Sequence, residues 1–205
     1  MDSITQAALG ASIAYGFWHK PLGKKAFALG AIFGTLPDLD ILAYPFLDAV
    51  QRLYWHRGES HSIWFIFLIS LLLAYLFHRR WWREKIEFKQ VFYGFLAIFV
   101  THVLIDYFTI YGTQLLAPFS RYGFARGNMF VIDPLYTLPL LFGIIFSIFY
   151  NSNKPNRIGL YISSFYTLFS LVAHGYAHNV FTKDLETKGI HVNKSITMAT
   201  PFNTI

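Results

Sequence analysis

The chain has 205 residues, of which 55% are hydrophobic, 20% aromatic and only 14% charged, and its mean hydropathy is +0.41. Soluble domains carry about 25% charged residues, so this composition excludes a disordered chain and argues against an ordinary soluble domain. The absence of cysteine excludes disulfides, thiolate metal sites and cysteine nucleophiles, and in a membrane protein the net charge of +6 is read by its position, not as nucleic-acid binding.

Residues 1–18 lack the basic start of a secretory signal: Asp2 is the only early charge, and Lys20, Lys24 and Lys25 follow. The stretch reads as a retained helix with Ser3 as its N-cap. Gly10, Ala11, Ser12 and Ala14 suit close helix packing in lipid. Six apolar stretches are expected, at 3–18, 25–36, 62–78, 91–111, 133–150 and 158–180. The first two are short and glycine-rich, as in a hairpin that dips into the bilayer. The expected fold is an all-α polytopic transmembrane helical bundle of about four to six membrane helices with short loops. Residues 1–180 form the helical domain and 181–205 a polar C-terminal tail.

The connections 19–25, 79–90 and 151–157 hold ten of the 17 basic residues, with Glu84 and Glu87 as their only acids. Positive charge marks the cytoplasmic face, so these connections are expected inside the cell and both termini outside. That orientation gathers Asp38, Asp40, His56, His61, His102, Asp106 and Asp133 at the outer end of the bundle. Ionisable groups at bilayer depth are expensive and point to function.

His102 and Asp106 stand at i and i+4 on one helical face. An imidazole nitrogen and a carboxylate oxygen so placed can share a divalent ion, or can make a simple hydrogen bond between helices. In His56-Arg57-Gly58-Glu59-Ser60-His61-Ser62, Gly58 permits a turn that brings both histidines to one centre, and Ser60 or Ser62 can cap the next helix. The alternative is an interfacial loop whose histidines face water. Asp38 and Asp40, alternating in an extended stretch after Pro37, suit one cation, or one ligand and one general base; a solvated turn is the bland alternative. Asp133 before Pro134 is an ordinary helix start, with orientation of a ligand histidine as the functional alternative. His174 and His178 also share a face but have no carboxylate nearby before Asp184. His19, His78 and His191 read as surface residues. Arg57, Arg121 and Arg126 lie on the side that positive charge avoids, where an arginine fork can hold phosphate or carboxylate. A salt bridge to Glu59 is the structural alternative.

The segments MDSITQAALGA, GTLPDLD, HRGESHS, THVLIDYFTIYGTQLLAPFS and IDPLYTLP resemble the YdjM-like family of bacterial inner-membrane proteins, described as membrane-bound metal-dependent hydrolases. The resemblance covers nearly the whole chain. It implies Asp38, Asp40, His56, His61, His102 and Asp106 as the family's polar set, with Asp133 in the IDP motif. Family members can carry histidine where this chain has Gln6, so Gln6 is not counted as a ligand. The ending ATPFNTI resembles the start of a segment that continues into a polar C-terminal region, which implies a longer chain. The H-x3-D element is also similar to one used by zinc phospholipase C.

The expected mechanism is metal-dependent hydrolysis. Asp38, His56, His61, His102 and Asp106 hold a divalent metal, zinc first and manganese or iron next, as an N/O donor set without thiolate directs. Asp40 serves as base, Asp133 stands behind the ligands, and Arg57 and Arg121 bind an anionic substrate. The loop 112–130 forms a lid. A site at the membrane boundary implies contact with membrane lipids and an amphiphilic, lipid-like or phosphoester substrate. The alternatives are a metal transporter and a non-catalytic protein whose His–Asp cluster pins the bundle. The almost wholly apolar cytoplasmic half of the spans argues against an ion pathway.

Overall fold

The computed structural model describes residues 1–190 and 196–203. Among these residues the chain is all-α, with seven α-helices and one isolated antiparallel bridge between Thr113 and Phe124. The helices are α1 (Ser3–Leu22), α2 (Lys25–Gly34), α3 (Ala49–Trp55), α4 (Ile63–Phe77), α5 (Phe88–Tyr107), α6 (Pro134–Tyr150) and α7 (Lys154–Thr187). Short 3-10 segments at Pro37–Phe46 and Glu59–His61 flank α3, and a π-helical turn, His78–Trp82, extends α4. The helix α7 carries on past residue 180 to Thr187, so the expected start of the polar tail falls inside it. His191 lies outside the described residues.

Fewer than six of the helices are both long and apolar enough to cross a membrane. Ile63–Trp82, Phe88–Tyr107 and Lys154–Thr187 are long and apolar enough to cross a membrane. The pair Lys25–Gly34 and Pro37–Phe46, bent by 44°, adds a fourth if it acts as one span. The helix α6 is apolar but has only 17 residues. The helix α1 has 20 residues but is not apolar enough to count. Its position explains its composition. It packs against α2, α5, α6 and α7, so Thr5, Gln6 and Ser12 are buried by protein. Its N-cap is not Ser3 but Asp2, whose carboxylate accepts from the amides of Ile4 and Thr5.

Glycine sets the closest approach in the bundle. A Cβ on Gly10 would lie 2.3 Å from the Gly30 carbonyl oxygen, and one on Gly30 would lie 2.2 Å from the Gly10 carbonyl oxygen. A Cβ on Gly34 would lie 2.6 Å from the Gln6 carbonyl oxygen. No side chain fits there, so α1 and α2 touch backbone to backbone, as small residues allow in lipid. At the other end of α1, the buried indole of Trp18 fills the place where a Cβ on Gly94 would lie, 2.4 Å away, and packs edge-on against Phe95. This aromatic layer joins α1, α4 and α5 into one core.

The two ends of the bundle differ. At one end Gln90 donates to the Phe17 carbonyl at 2.7 Å, and Asn153 lies 3.5 Å from His19. The basic connections 19–25, 79–90 and 151–157 therefore share that end. The opposite end gathers the start of α1, residues 37–61, the last turns of α5 and the start of α6.

Candidate metal centre

The last turns of α5 present His102 and Asp106 inward, both buried. Asp38 enters from the first turn of Pro37–Phe46, and His61 from the turn Glu59–His61. One ligand atom from each of these four residues lies within 4.8 Å of all the others. His61 Nε2 stands 3.4 Å from Asp38 Oδ1, 3.4 Å from Asp106 Oδ2 and 3.2 Å from His102 Nε2. His102 Nε2 stands 3.5 Å from Asp38 Oδ1 and 3.9 Å from Asp106 Oδ2. Ligands around a tetrahedral zinc with bonds of about 2.0–2.1 Å sit roughly 3.3 Å apart. Five of the six separations among the four atoms, 3.2–3.9 Å, are of that order.

Three of the four donors, His102, His61 and Asp106, are aimed by a bond on the far side. His102 Nδ1 donates to the Gly34 carbonyl at 2.6 Å, which turns its Nε2 lone pair toward the other three. The backbone contact of α1 with α2 places that carbonyl. His61 Nδ1 meets Ser60 Oγ at 2.9 Å, and Ser60 Oγ donates to Asp40 Oδ2 at 3.1 Å. Asp106 Oδ1 accepts from Gln6 Nε2 at 3.1 Å and forms ion pairs with Arg57 Nη2 at 3.3 Å and with the α-amino group of Met1. Its other oxygen, Oδ2, is buried and accepts no hydrogen bond. An ionised carboxylate oxygen left bare in a protein interior is costly. A cation at the centre of the quartet would satisfy it. Burial lowers the pKa of His61, but the carboxylates of Asp106 and Asp38 facing Nε2 outweigh that and raise it. The same negative field suits a divalent ion.

The other expected residues take different places. Asp38 and Asp40 lie on a 3-10 helix, not in an extended stretch. At about three residues per turn, positions two apart point to different sides, so Asp40 stays out of the quartet. Its oxygens take His56 Nδ1 at 3.0 Å, the Arg57 amide at 3.0 Å and Ser60. His56 caps the end of α3 and pairs with Asp40 instead of joining the four; its ring centroid is 6.2 Å from that of His61. Asp133 caps α6 through the Leu135 amide and accepts from the Tyr166 hydroxyl at 2.6 Å. It makes no hydrogen bond to His61 or His102 among the described residues. Ser62, not Ser60, caps α4.

Arg57 has a left-handed backbone, φ 58°, a conformation costing roughly 1–2 kcal/mol for a residue with a Cβ. Its guanidinium is buried between Asp106, Thr109 at 2.9 Å and the ring of Tyr111. Arg121 pairs with Glu59, which holds the Glu59 carboxyl below its ordinary range, and donates to Gln114 Oε1 at 3.3 Å. Arg57 and Arg121 line one cleft of about 520 Å³, together with His56 and with Arg52, which the sequence did not single out. The expected lid, 112–130, is tied down beside it: the Gln114 amide donates to the Arg57 carbonyl at 2.9 Å and the Ile63 amide to the Leu115 carbonyl at 3.0 Å. Gln6 and Ser60 are the other residues the sequence undervalued. The family's alternative histidine at Gln6 was the available signal for the first. Ser60 inside HRGESHS was the signal for the second.

A family model described as YdjM inner membrane protein matches residues 1–179. The chain is 32% identical over 109 residues to the inner membrane protein YbcI of Escherichia coli (strain K12), an alignment covering 53% of this chain and 61% of that protein. It is 31% identical over 176 residues to the protein named uncharacterized protein YfhP of Bacillus subtilis (strain 168), covering 79% of this chain and 51% of that one. The chain therefore spans between half and two thirds of the length of these curated relatives. No solved structure matches it significantly.

Proposed function

The chain belongs to the YdjM family of inner membrane proteins, and on that premise we propose that it is a membrane-bound metal-dependent hydrolase. One observation carries the reading: Asp106 Oδ2, buried and without a hydrogen bond, lies within 4.8 Å of three further donor atoms. Asp38, His61, His102 and Asp106 would hold the ion. Zinc fits the two imidazoles and two carboxylates best, with manganese or iron as the next choices. A bound divalent ion supplies a water of lowered pKa.

The protein's own groups supply the rest. His56 is one-third exposed at its side chain and its Nδ1 is held by Asp40. A histidine oriented by a carboxylate is a better proton acceptor at neutral pH than a carboxylate alone. The reading therefore gives His56 the role of base and Asp40 that of its orienting partner. Asp38, the only one of the four donors with more than a trace of exposure at 18% of its side chain, marks the open edge of the centre. Asp133 holds α6 in place. The substrate is an amphiphile drawn from the membrane. The basic connections lie at the far end of the bundle, and the bias of positive charge toward the cytoplasm supports a centre on the non-cytoplasmic side of the inner membrane.

Elemental mass spectrometry on detergent-purified protein tests the reading. Wild type should retain one or two tightly held ions. His102→Ala and His61→Ala should lose them while remaining monodisperse and helical. His56→Gln should keep the metal and lose hydrolysis of lipid substrates. Absence of stoichiometric metal in wild type, even after reloading, would sink the mechanism and leave a structural His–Asp cluster.

A further inference from the structure

We infer that the arginine-lined cleft beside the metal centre is a subsite for a phosphate ester, so that the hydrolysed substrate carries phosphate rather than a neutral acyl ester. The inference rests on the metal-hydrolase reading and narrows its substrate.

The cleft, about 520 Å³, is walled by Arg52, Arg57 and Arg121 together with His56, Tyr54 and Gln114, and no carboxylate lines it. The acids that pair with these cations lie elsewhere. Asp40 and Glu59 line a separate, mainly apolar groove against α4, and Asp106 lies in the metal quartet. Arg57 and Arg121 thus line the cleft while their carboxylate partners, Asp106 and Glu59, do not.

Arg57 is the strongest single indication. It is 95% buried (relative exposure 5%), and its Nε is buried with no hydrogen-bond partner. A desolvated guanidinium with an open N–H calls for an oxygen acceptor, and its planar fork matches a phosphate group. The same side chain reaches Asp106 Oδ1 at 3.3 Å. It thus joins the cleft to the metal centre and would set the phosphorus beside the ion. Arg52 is anchored through Nε by the carbonyls of Tyr44 and Leu47, at 3.1 and 3.0 Å. Arg121 donates through Nη1 to Gln114 Oε1 at 3.3 Å on the same wall. A neutral carbonyl ester would bring no charge to a wall where Arg52 has no carboxylate partner among the described residues and Arg57 keeps an open N–H, whereas a phosphate mono- or diester carries the charge they match.

The test is a binding titration on the full chain in neutral detergent, by thermophoresis, with metal content measured on every sample. The probes are phosphatidic acid and diacylglycerol in mixed micelles, and inorganic phosphate and a dialkyl phosphate in solution. Wild type should bind phosphatidic acid and not diacylglycerol. Arg52→Gln and Arg121→Gln, both at exposed positions, should each raise its dissociation constant by about 10-fold or more, as for loss of a charge-assisted bond. Wild-type affinity in the double variant, or equal binding of diacylglycerol, would overturn the subsite. Competition by inorganic phosphate or the dialkyl phosphate at the affinity of phosphatidic acid supports the subsite with a soluble ester as ligand, and much weaker competition supports it with a lipid. Metal retained throughout, with no effect of the arginine variants, refutes the subsite and spares the metal centre. Arginine-dependent phosphate binding in a protein that never holds metal does the reverse.

Discussion

Two residue pairs stand one helical turn apart near the same end of the molecule, His102 with Asp106 on α5 and His174 with His178 on α7. Their surroundings separate them. Around the first pair, other elements deliver a third and fourth donor, and outer bonds from Gly34, Gln6 and Arg57 fix each group. Around the second pair, the neighbouring segment delivers Thr197. His174 Nε2 donates to its carbonyl at 3.1 Å, and its hydroxyl lies 3.3 Å from His178 Nδ1. Those ring nitrogens are spent on a loop, and no carboxylate gathers there among the described residues. Helical spacing makes a pair of donors. Long-range partners decide whether the pair joins a set that could hold a metal or serves as a clasp.

The largest test of this contrast is removal of a donor. His102→Ala, His61→Ala or Asp106→Asn should lower metal affinity by more than about 100-fold, beyond the 10–100-fold typical of an outer partner, as read by competition with a chelating dye. His174→Ala and His178→Ala should leave metal content unchanged; loss of metal there would erase the distinction. Next comes the packing that aims His102. Gly30→Ala or Gly34→Ala forces a Cβ to within 2.2 or 2.6 Å of α1 backbone. Overpacking of this kind costs about 1–3 kcal/mol, visible as a lower thermal midpoint in detergent, and Gly34→Ala should also weaken metal binding. Smaller is the loss of one outer bond: Ser60→Ala should cost roughly 10-fold in metal affinity, and no change would mean that His61 is held by packing alone. Smallest, Gln6→Ala should weaken metal binding several-fold, because Asp106 Oδ1 keeps Arg57 and the amino group of Met1.

Hydropathy and charge placement made the class of fold legible. The all-α architecture, the apolar helices and the basic end of the bundle follow from them. The number of spans did not, because hydropathy measures a helix against lipid, whereas α1 is surrounded by protein. His102 and Asp106 were legible because helical periodicity fixes their shared face. Which of Asp38, Asp40, His56 and His61 would join them was not. That choice depends on a 3-10 turn after Pro37, which splits the two aspartates, and on the turn at Arg57 and Gly58, which splits the two histidines. Both are set by tertiary bonds to Asp40 that no local pattern records. Arg52 escaped notice because only the fold lays α3 against the 112–123 segment.

The position of α1 bears on how the chain enters the membrane. A helix that carries Thr5, Gln6 and Ser12 on buried faces gains little from lipid alone. It gains from the glycine contact with α2 and from the sleeve of α5, α6 and α7. An α1 segment placed alone in a translocon reporter should therefore insert poorly, and a segment carrying α1 with α2 should insert better. For α1, partition into the bilayer and assembly with its neighbouring helices become one event, so the Gln6 amide and the Gly34 carbonyl reach Asp106 and His102 only once α1, α2 and α5 have packed together.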